Sequence, residues 1–311
     1  MRSQGRLGLA VVTGLLLPLI SQSAAQQAAE AVDTPVDSQM VTIDFEGVVG
    51  DEPFSCGESY QLGSENTTVT PLDFRLYISD VALPDGEDNA VPLVLEQDGL
   101  WQHQNVALLD FEDKTGGCVN GTSETRAQVV GAVPAGEYSG LRFTVGVPFA
   151  LNHIDSTLAP SPLNLTALWW NWNFGYKFMR LDFNTSVETA MSSLSAQSTA
   201  QKSEIAHTGS QAFAIHLGSV GCQLDSAQAS IRCTSPNQAE IELSGFDPAQ
   251  NVVVADVAAL LSETNLSENQ EGTAIGFMSS PTDSDCSGIM QNIGLPFPNQ
   301  PLGEQTFFST K

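Results

Sequence analysis

Three of the four tryptophans fall in one segment, Leu168-Trp169-Trp170-Asn171-Trp172-Asn173-Phe174-Gly175-Tyr176-Lys177-Phe178. On a strand Trp170 and Trp172 share a face and Trp169 points the other way. A packed aromatic cluster is the ordinary explanation, since each ring buries about 150–250 Å². The asparagines that alternate with the rings are an odd choice for a purely apolar layer. There are also four histidines. His216 sits in Phe213-Ala214-Ile215-His216-Leu217, opposite the face that carries Phe213, Ile215 and Leu217, as a sheet histidine with a satisfied hydrogen bond would. His153 lies in the loop-like Asn152-His153-Ile154-Asp155, where a surface histidine is the plain reading. His103 follows Trp101 at one remove, which puts both side chains on one strand face. His207 lies in a Thr/Ser/Gly-rich stretch and is read as solvated. Imidazole is a common ligand of transition metals. An intact indole N–H is a donor only and a poor ligand.

The five cysteines are Cys56, Cys118, Cys222, Cys233 and Cys286. In an exported chain they are expected in disulfides rather than in a thiolate metal site. Connectivity stays open at this level. The simplest sequential choice is Cys56–Cys118 and Cys222–Cys233. Cys286 is then left as a buried free thiol or as a link between chains. No His-Glu-x-x-His, paired Cys-x-x-Cys, P-loop or Gly-x-Gly-x-x-Gly pattern occurs, so hydrolase, zinc-finger and nucleotide readings have little to stand on.

The elements that position these residues read as β. With 41% hydrophobic and 15% charged residues, the chain is too apolar for disorder and too polar for a membrane bundle. Acidic residues outnumber basic ones 36 to 11, which argues against nucleic acid and anionic membranes as partners. A charge of −25 favours the approach of a cation but serves solubility equally well. Residues 1–25 have the form of a signal peptide: Arg2 and Arg6, an apolar run from Leu7 to Ile20, then Ser23-Ala24-Ala25. No cysteine follows until Cys56, so no lipid anchor is expected. Residues 26–39 read as a linker and 40–311 as the domain.

Short alternating or apolar runs mark strands at Met40–Phe45, Phe74–Val81, Val91–Leu95, Val106–Phe111, Leu141–Val147, Tyr176–Phe183, Phe213–Leu217, Ala239–Leu243 and Asn251–Val254. Pro84-Asp85-Gly86 and Pro134-Ala135-Gly136 are turns, because proline fixes φ and glycine accepts φ > 0. Asp256 is placed as the N-cap of a short helix ending at Leu261. Ser193–Lys202 reads as an exposed loop. The pattern predicts an all-β, antiparallel sandwich or barrel-like single domain with disulfides and long loops.

Gly99–Glu112 (GLWQHQNVALLDFE), Gly146–His153 (GVPFALNH), Leu168–Phe178, Phe213–Cys222 (FAIHLGSVGC) and the spaced cysteines together resemble the MbnP-like family, also called metallo-mystery pair four-Cys proteins. The resemblance runs from about Val41 to Leu295. It implies a periplasmic, mostly β copper-binding protein encoded with a dihaem cytochrome c peroxidase-like partner of the MbnH type. That partner oxidises a tryptophan to kynurenine, whose amine then helps bind copper. The family's Trp-x-Trp falls on Trp170 and Trp172, with Trp172 placed slightly ahead as the oxidised residue. Its histidines fall on His153 and His216, and its four cysteines on Cys56, Cys118, Cys222 and Cys233. Trp101 and His103 form a reserve site. In the stretch Gly276-Phe277-Met278-Ser279, Phe277 stands where many members carry cysteine, which would leave Cys286 without a partner.

The expected role is Cu(I) acquisition or handling rather than catalysis. The rival reading is a β-sandwich without metal that binds a protein or carbohydrate through the Trp-rich segment. An acid–base enzyme has no distinctive carboxylate motif behind it.

Overall fold

In the computed structural model, two sheets pack face to face. The structure describes residues 37–171, 173–186, 210–225 and 230–311. The expected signal peptide, most of the linker, Trp172, the Ser193–Lys202 loop and His207 lie outside the described residues. Residues from Asp37 onward form one compact unit. In the smaller sheet the order is Phe308–Thr310, Val252–Asp256, Ser38–Val49, Gln128–Pro134, Val94–Leu95. The main path of the larger sheet is Ala239–Ser244, Gly140–Val145, Thr67–Pro84, Gly175–Ser186, Ser210–Gly218, Gly276–Phe277. Neither sheet closes into a barrel. Pairing is antiparallel except where Ser38–Val49 meets Val252–Asp256 and Ser210–Gly218 meets Gly276–Phe277.

The core forms where the inward residues of both sheets meet. In Ser38–Val49, Val41, Ile43 and Phe45 alternate inward. Phe45 meets Phe143 edge-on at 5.8 Å, and Phe143 meets Phe308 at 5.1 Å. Such aromatic pairs contribute about 0.5–1.5 kcal/mol beyond area burial. The strand Thr67–Pro84 is the hub, pairing with Gly140–Val145 on one side and Gly175–Ser186 on the other.

Every strand expected from the sequence is present, several of them longer. The Val91–Leu95 run divides: Ala90–Pro92 returns along Thr67–Pro84, while Val94–Leu95 crosses to the smaller sheet. The sequence reading omits Gln128–Pro134, whose apolar alternation is broken by Gly131. A Cβ there would lie 2.6 Å from the Val94 carbonyl, so glycine lets the neighbouring strand approach. The expected helix is Val257–Leu261, and Asp256 caps it by accepting from the Ala258 N–H at 2.8 Å.

Cys56–Cys118 and Cys222–Cys233 are the disulfides, and Cys286 is a buried free thiol. Closing a span of 62 residues contributes about 4 kcal/mol on the chain-entropy account, and closing one of 11 about 3. Burial pushes the Cys286 thiol up to about 12. A thiol reagent should therefore leave the native protein unlabelled and add one equivalent after unfolding without reductant. Labelling of Cys286 under native conditions contradicts this burial.

The larger sheet also buries charge. Arg75, 2% exposed, pairs with Asp73 and lies 3.9 Å from Glu112. Burial pushes the nearby Asp110 carboxyl up to about 8, against the pull of the Arg75 charge. The native state then keeps this proton to about pH 8, whereas the unfolded chain releases it near 3.8. Across that window the native state binds more protons, so stability falls as pH rises. Asp110→Asn should flatten this slope and raise stability at pH 8 by at least ~1 kcal/mol, the scale of one pKa unit. Urea unfolding of both proteins at pH 5 and pH 8 measures it, and equal slopes would contradict the assignment.

Candidate metal centre

The outward face of the larger sheet carries polar residues that the alternation of its strands brings into line. On Ser210–Gly218, Phe213, Ile215 and Leu217 turn into the core, which leaves His216 on the opposite face. On Gly175–Ser186, Met179, Leu181 and Phe183 turn inward, and Arg180 and Asp182 join His216. Register places Arg180 opposite His216 and Asp182 opposite Ala214. It also places Arg180 opposite Arg75 and Asp182 opposite Asp73 on the hub strand. Polar partners therefore meet on diagonals and along the strand: Arg180 Nη1 lies 3.2 Å from Asp73 Oδ2 across the pair, Arg180 Nε donates to Asp182 Oδ2 at 2.7 Å two residues along its own strand, and His216 Nε2 lies 2.9 Å from Asp182 Oδ1 across the next pair.

His216 is only 9% exposed. Burial lowers its pKa and outweighs the opposing pull of Asp182. Burial raises the Asp182 carboxyl, but hydrogen bonds and charge from His216 and Arg180 overcome this and hold it below its usual value. An ionised carboxylate only accepts, so His216 Nε2 carries the hydrogen and Nδ1 holds the lone pair. Burial, followed by the Arg180 charge, lowers Lys177 to about 8. Its ammonium donates to the Ala167 carbonyl at 3.2 Å, tying the chain before the tryptophans to the sheet.

Trp169–Asn171 pairs with the start of Gly175–Ser186. The alternation expected from sequence holds at the two described rings. Trp169 packs against the core, and the Trp170 ring centroid lies 6.3 Å from that of His216. Gly218 permits this approach: a Cβ there would fall 2.5 Å from Cζ3 of Trp170. Trp170, Asn171, Phe174, Val220 and Met278 line a groove of about 330 Å³.

His153 follows the short helix Phe149–Asn152 and is half-buried. Its neighbour Asn152 is fastened to both relevant strands. Asn152 Oδ1 accepts from the Tyr176 N–H at 2.8 Å, and Nδ2 reaches Ser219 Oγ at 3.3 Å, three residues beyond His216. Hydroxyls of Tyr77 and Tyr176 donate to the carbonyls of Pro162 and Leu163, which holds the following loop on the sheet. His153 Nε2 lies 3.7 Å from Cys233 Sγ. The ligand atoms of His153, Cys222 and Cys233 lie within 4.8 Å of one another, but the disulfide occupies both sulfurs. Of these three residues, only His153 offers a donor.

Trp101 packs against the core, and the His103 ring lies 3.2 Å from the Gln104 side-chain nitrogen. Asp182, Arg180, Asn152 and Gly218 escaped the sequence reading. The alternation Met179-Arg180-Leu181-Asp182-Phe183 did carry the signal for two of them, because it puts a base and an acid on the face of an apolar strand opposite the core. Nothing in sequence marks Asn152, whose partners come from strands far along the chain.

A search of curated proteins finds no match. Among solved structures, MbnP from Methylosinus trichosporium superposes with a TM-score of 0.72 at 27% identity, over 88% of this chain and 99% of that one. The MbnP family model matches residues 38–279, which include the larger sheet, the smaller sheet except its edge strand Phe308–Thr310, both disulfides and the Trp170–His216 cluster. The chain belongs to the MbnP family.

Proposed function

We propose that this chain is an exported, periplasmic copper-binding protein that serves copper acquisition or handling and is not itself an enzyme. His216 and His153 hold Cu(I), joined by an amine formed from Trp170. The observation that carries the reading is the Trp170 ring against His216, a histidine that burial keeps neutral and Asp182 keeps oriented. Metal binding needs neutral imidazole, and a carboxylate on one ring nitrogen commits the other to the metal. Two nitrogen donors and an amine suit Cu(I) in a low-coordinate site. Opening the indole of Trp170 to kynurenine frees an aniline-type nitrogen beside His216, which supplies the donor that the intact ring lacks. In this reading a dihaem MbnH-type peroxidase partner uses two equivalents of peroxide to cleave the indole C2–C3 bond and add an oxygen atom to each carbon, and hydrolysis of the resulting N-formyl group releases formate and the free amine. Trp170 is taken for this role because its ring stands against the candidate ligand; Trp172, placed slightly ahead on sequence, lies outside the described residues and stays the alternative.

The test uses protein exported from cells with and without the dihaem partner. Peptide mass spectrometry should find kynurenine at position 170 only with the partner, and that form should bind one Cu(I) in a competition titration. Protein made without the partner should bind copper at least tenfold more weakly, the lower end of the scale for loss of a supporting group at a metal site. Tight binding by the unmodified form would leave an ordinary histidine site. Absence of both kynurenine and copper would favour the rival, a module without metal that docks a partner through its Trp-rich segment.

His216→Ala in the kynurenine-bearing protein should abolish stoichiometric Cu(I) binding and leave the β circular-dichroism signal intact. If His153→Ala and His216→Ala both bind as tightly as the parent, the ligands lie elsewhere, and Trp101 with His103 is the pair to test next. Because burial lowers the His216 pKa below the ordinary 6.5, protonation of this ligand should weaken copper binding only below that value. A decline that sets in well above 6.5 would contradict a depressed ligand pKa.

A further inference from the structure

We infer that Met278 supplies a thioether donor to the metal site and makes it selective for a soft monovalent ion. The inference rests on the Trp170–His216 reading above and adds a residue to it. The register carries the argument. Gly276–Phe277 runs parallel to Ser210–Gly218, with Ala214 beside Gly276 and Ile215 beside Phe277. Ile215 and Phe277 are both fully buried on the core side. Continued one residue beyond this pairing, the same alternation turns Met278 to the face that carries His216. Ser279 keeps the two segments side by side at this point. Its hydroxyl donates to the His216 carbonyl at 2.9 Å and accepts from the Gly218 N–H at 3.0 Å. Met278 then lines the same groove as Trp170, the ring that lies against His216.

Packing does not account for this methionine. Its chain neighbours Phe277 and Ser279 are fully buried, whereas Met278 is half-buried and its side chain borders open space. A flexible thioether beside imidazole is a soft donor, of the kind that favours Cu(I) over harder divalent ions.

The experiment compares the kynurenine-bearing parent with Met278→Leu, a volume-conserving change, and with Met278→Ala. Probes are Cu(I) in a competition titration, Ag(I) as a second soft monovalent ion, and Zn(II) as the harder control. Copper-edge X-ray absorption of the loaded parent should contain one sulfur scatterer that both variants lack. Met278→Leu should weaken Cu(I) and Ag(I) on the order of ten- to a hundredfold, the scale for losing a supporting group at a metal site, and leave Zn(II) unchanged. A parent spectrum with nitrogen and oxygen scatterers only, or sulfur retained in both variants, overturns the role of Met278 alone. Equal Cu(I) affinity in parent and Met278→Leu does the same. A kynurenine-bearing parent that binds no Cu(I) overturns the metal reading and this inference together.

Discussion

The hydrogen bond between His216 Nε2 and Asp182 Oδ1 is the contact on which the candidate site depends. It ends a ladder that crosses three strands, from Arg75 and Asp73 through Arg180 to Asp182. A buried charge costs several kcal/mol unless it is paired, and removing one partner of such a pair costs about 3–5 kcal/mol. The ladder therefore holds only while all its members stay in register. Its reward is specificity: one imidazole, in one tautomer, at one position beside Trp170.

That requirement explains several features of the frame. Thr67–Pro84 must be central, because it contributes the innermost acid and base and the register that aims them. The Trp-bearing segment must come down on the sheet beside His216. Lys177 and Tyr176 hold its approach through the Ala167 and Leu163 carbonyls, and Gly218 leaves room for the ring. The loop before it is fastened by Asn152, which links His153 to the ends of the two strands that carry Asp182 and His216. The Cys222–Cys233 disulfide bridges the hairpin beside His153 and keeps both sulfurs out of the donor set.

Much of this was legible in the sequence because period-two alternation is a local signal. It marked the strands, put His216 opposite Phe213, Ile215 and Leu217, and set Trp170 against Trp169. The disulfides followed from the simplest pairing. Other features depend on partners far along the chain. Gln128–Pro134 is a strand because it pairs along its length with Ser38–Val49, and Gly131 lets Val94 approach its other edge. The crossing of Val94–Leu95 to the other sheet depends on that same neighbour. Arg180 and Asp182 are ordinary surface-like residues until Thr67–Pro84 and the covering segments bury them. Met278 reaches the site only through a parallel pairing with a strand some sixty residues earlier, as the Ser279–His216 separation of 63 records. The resemblance to the family named the histidines and tryptophans. It did not say what holds them.

In the proposed site Asp182 fixes His216 as the Nε2–H tautomer, and Nδ1 is the nitrogen that would face copper. Long-range ¹H–¹⁵N spectra of the histidine rings, recorded before and after Cu(I) loading of the kynurenine-bearing protein, test it directly. In the unloaded protein His216 should read as neutral, with hydrogen on Nε2. On loading, the Nδ1 resonance should move and Nε2 should keep its proton. Movement of Nε2, a charged imidazolium at neutral pH, or no response from either nitrogen would contradict the account.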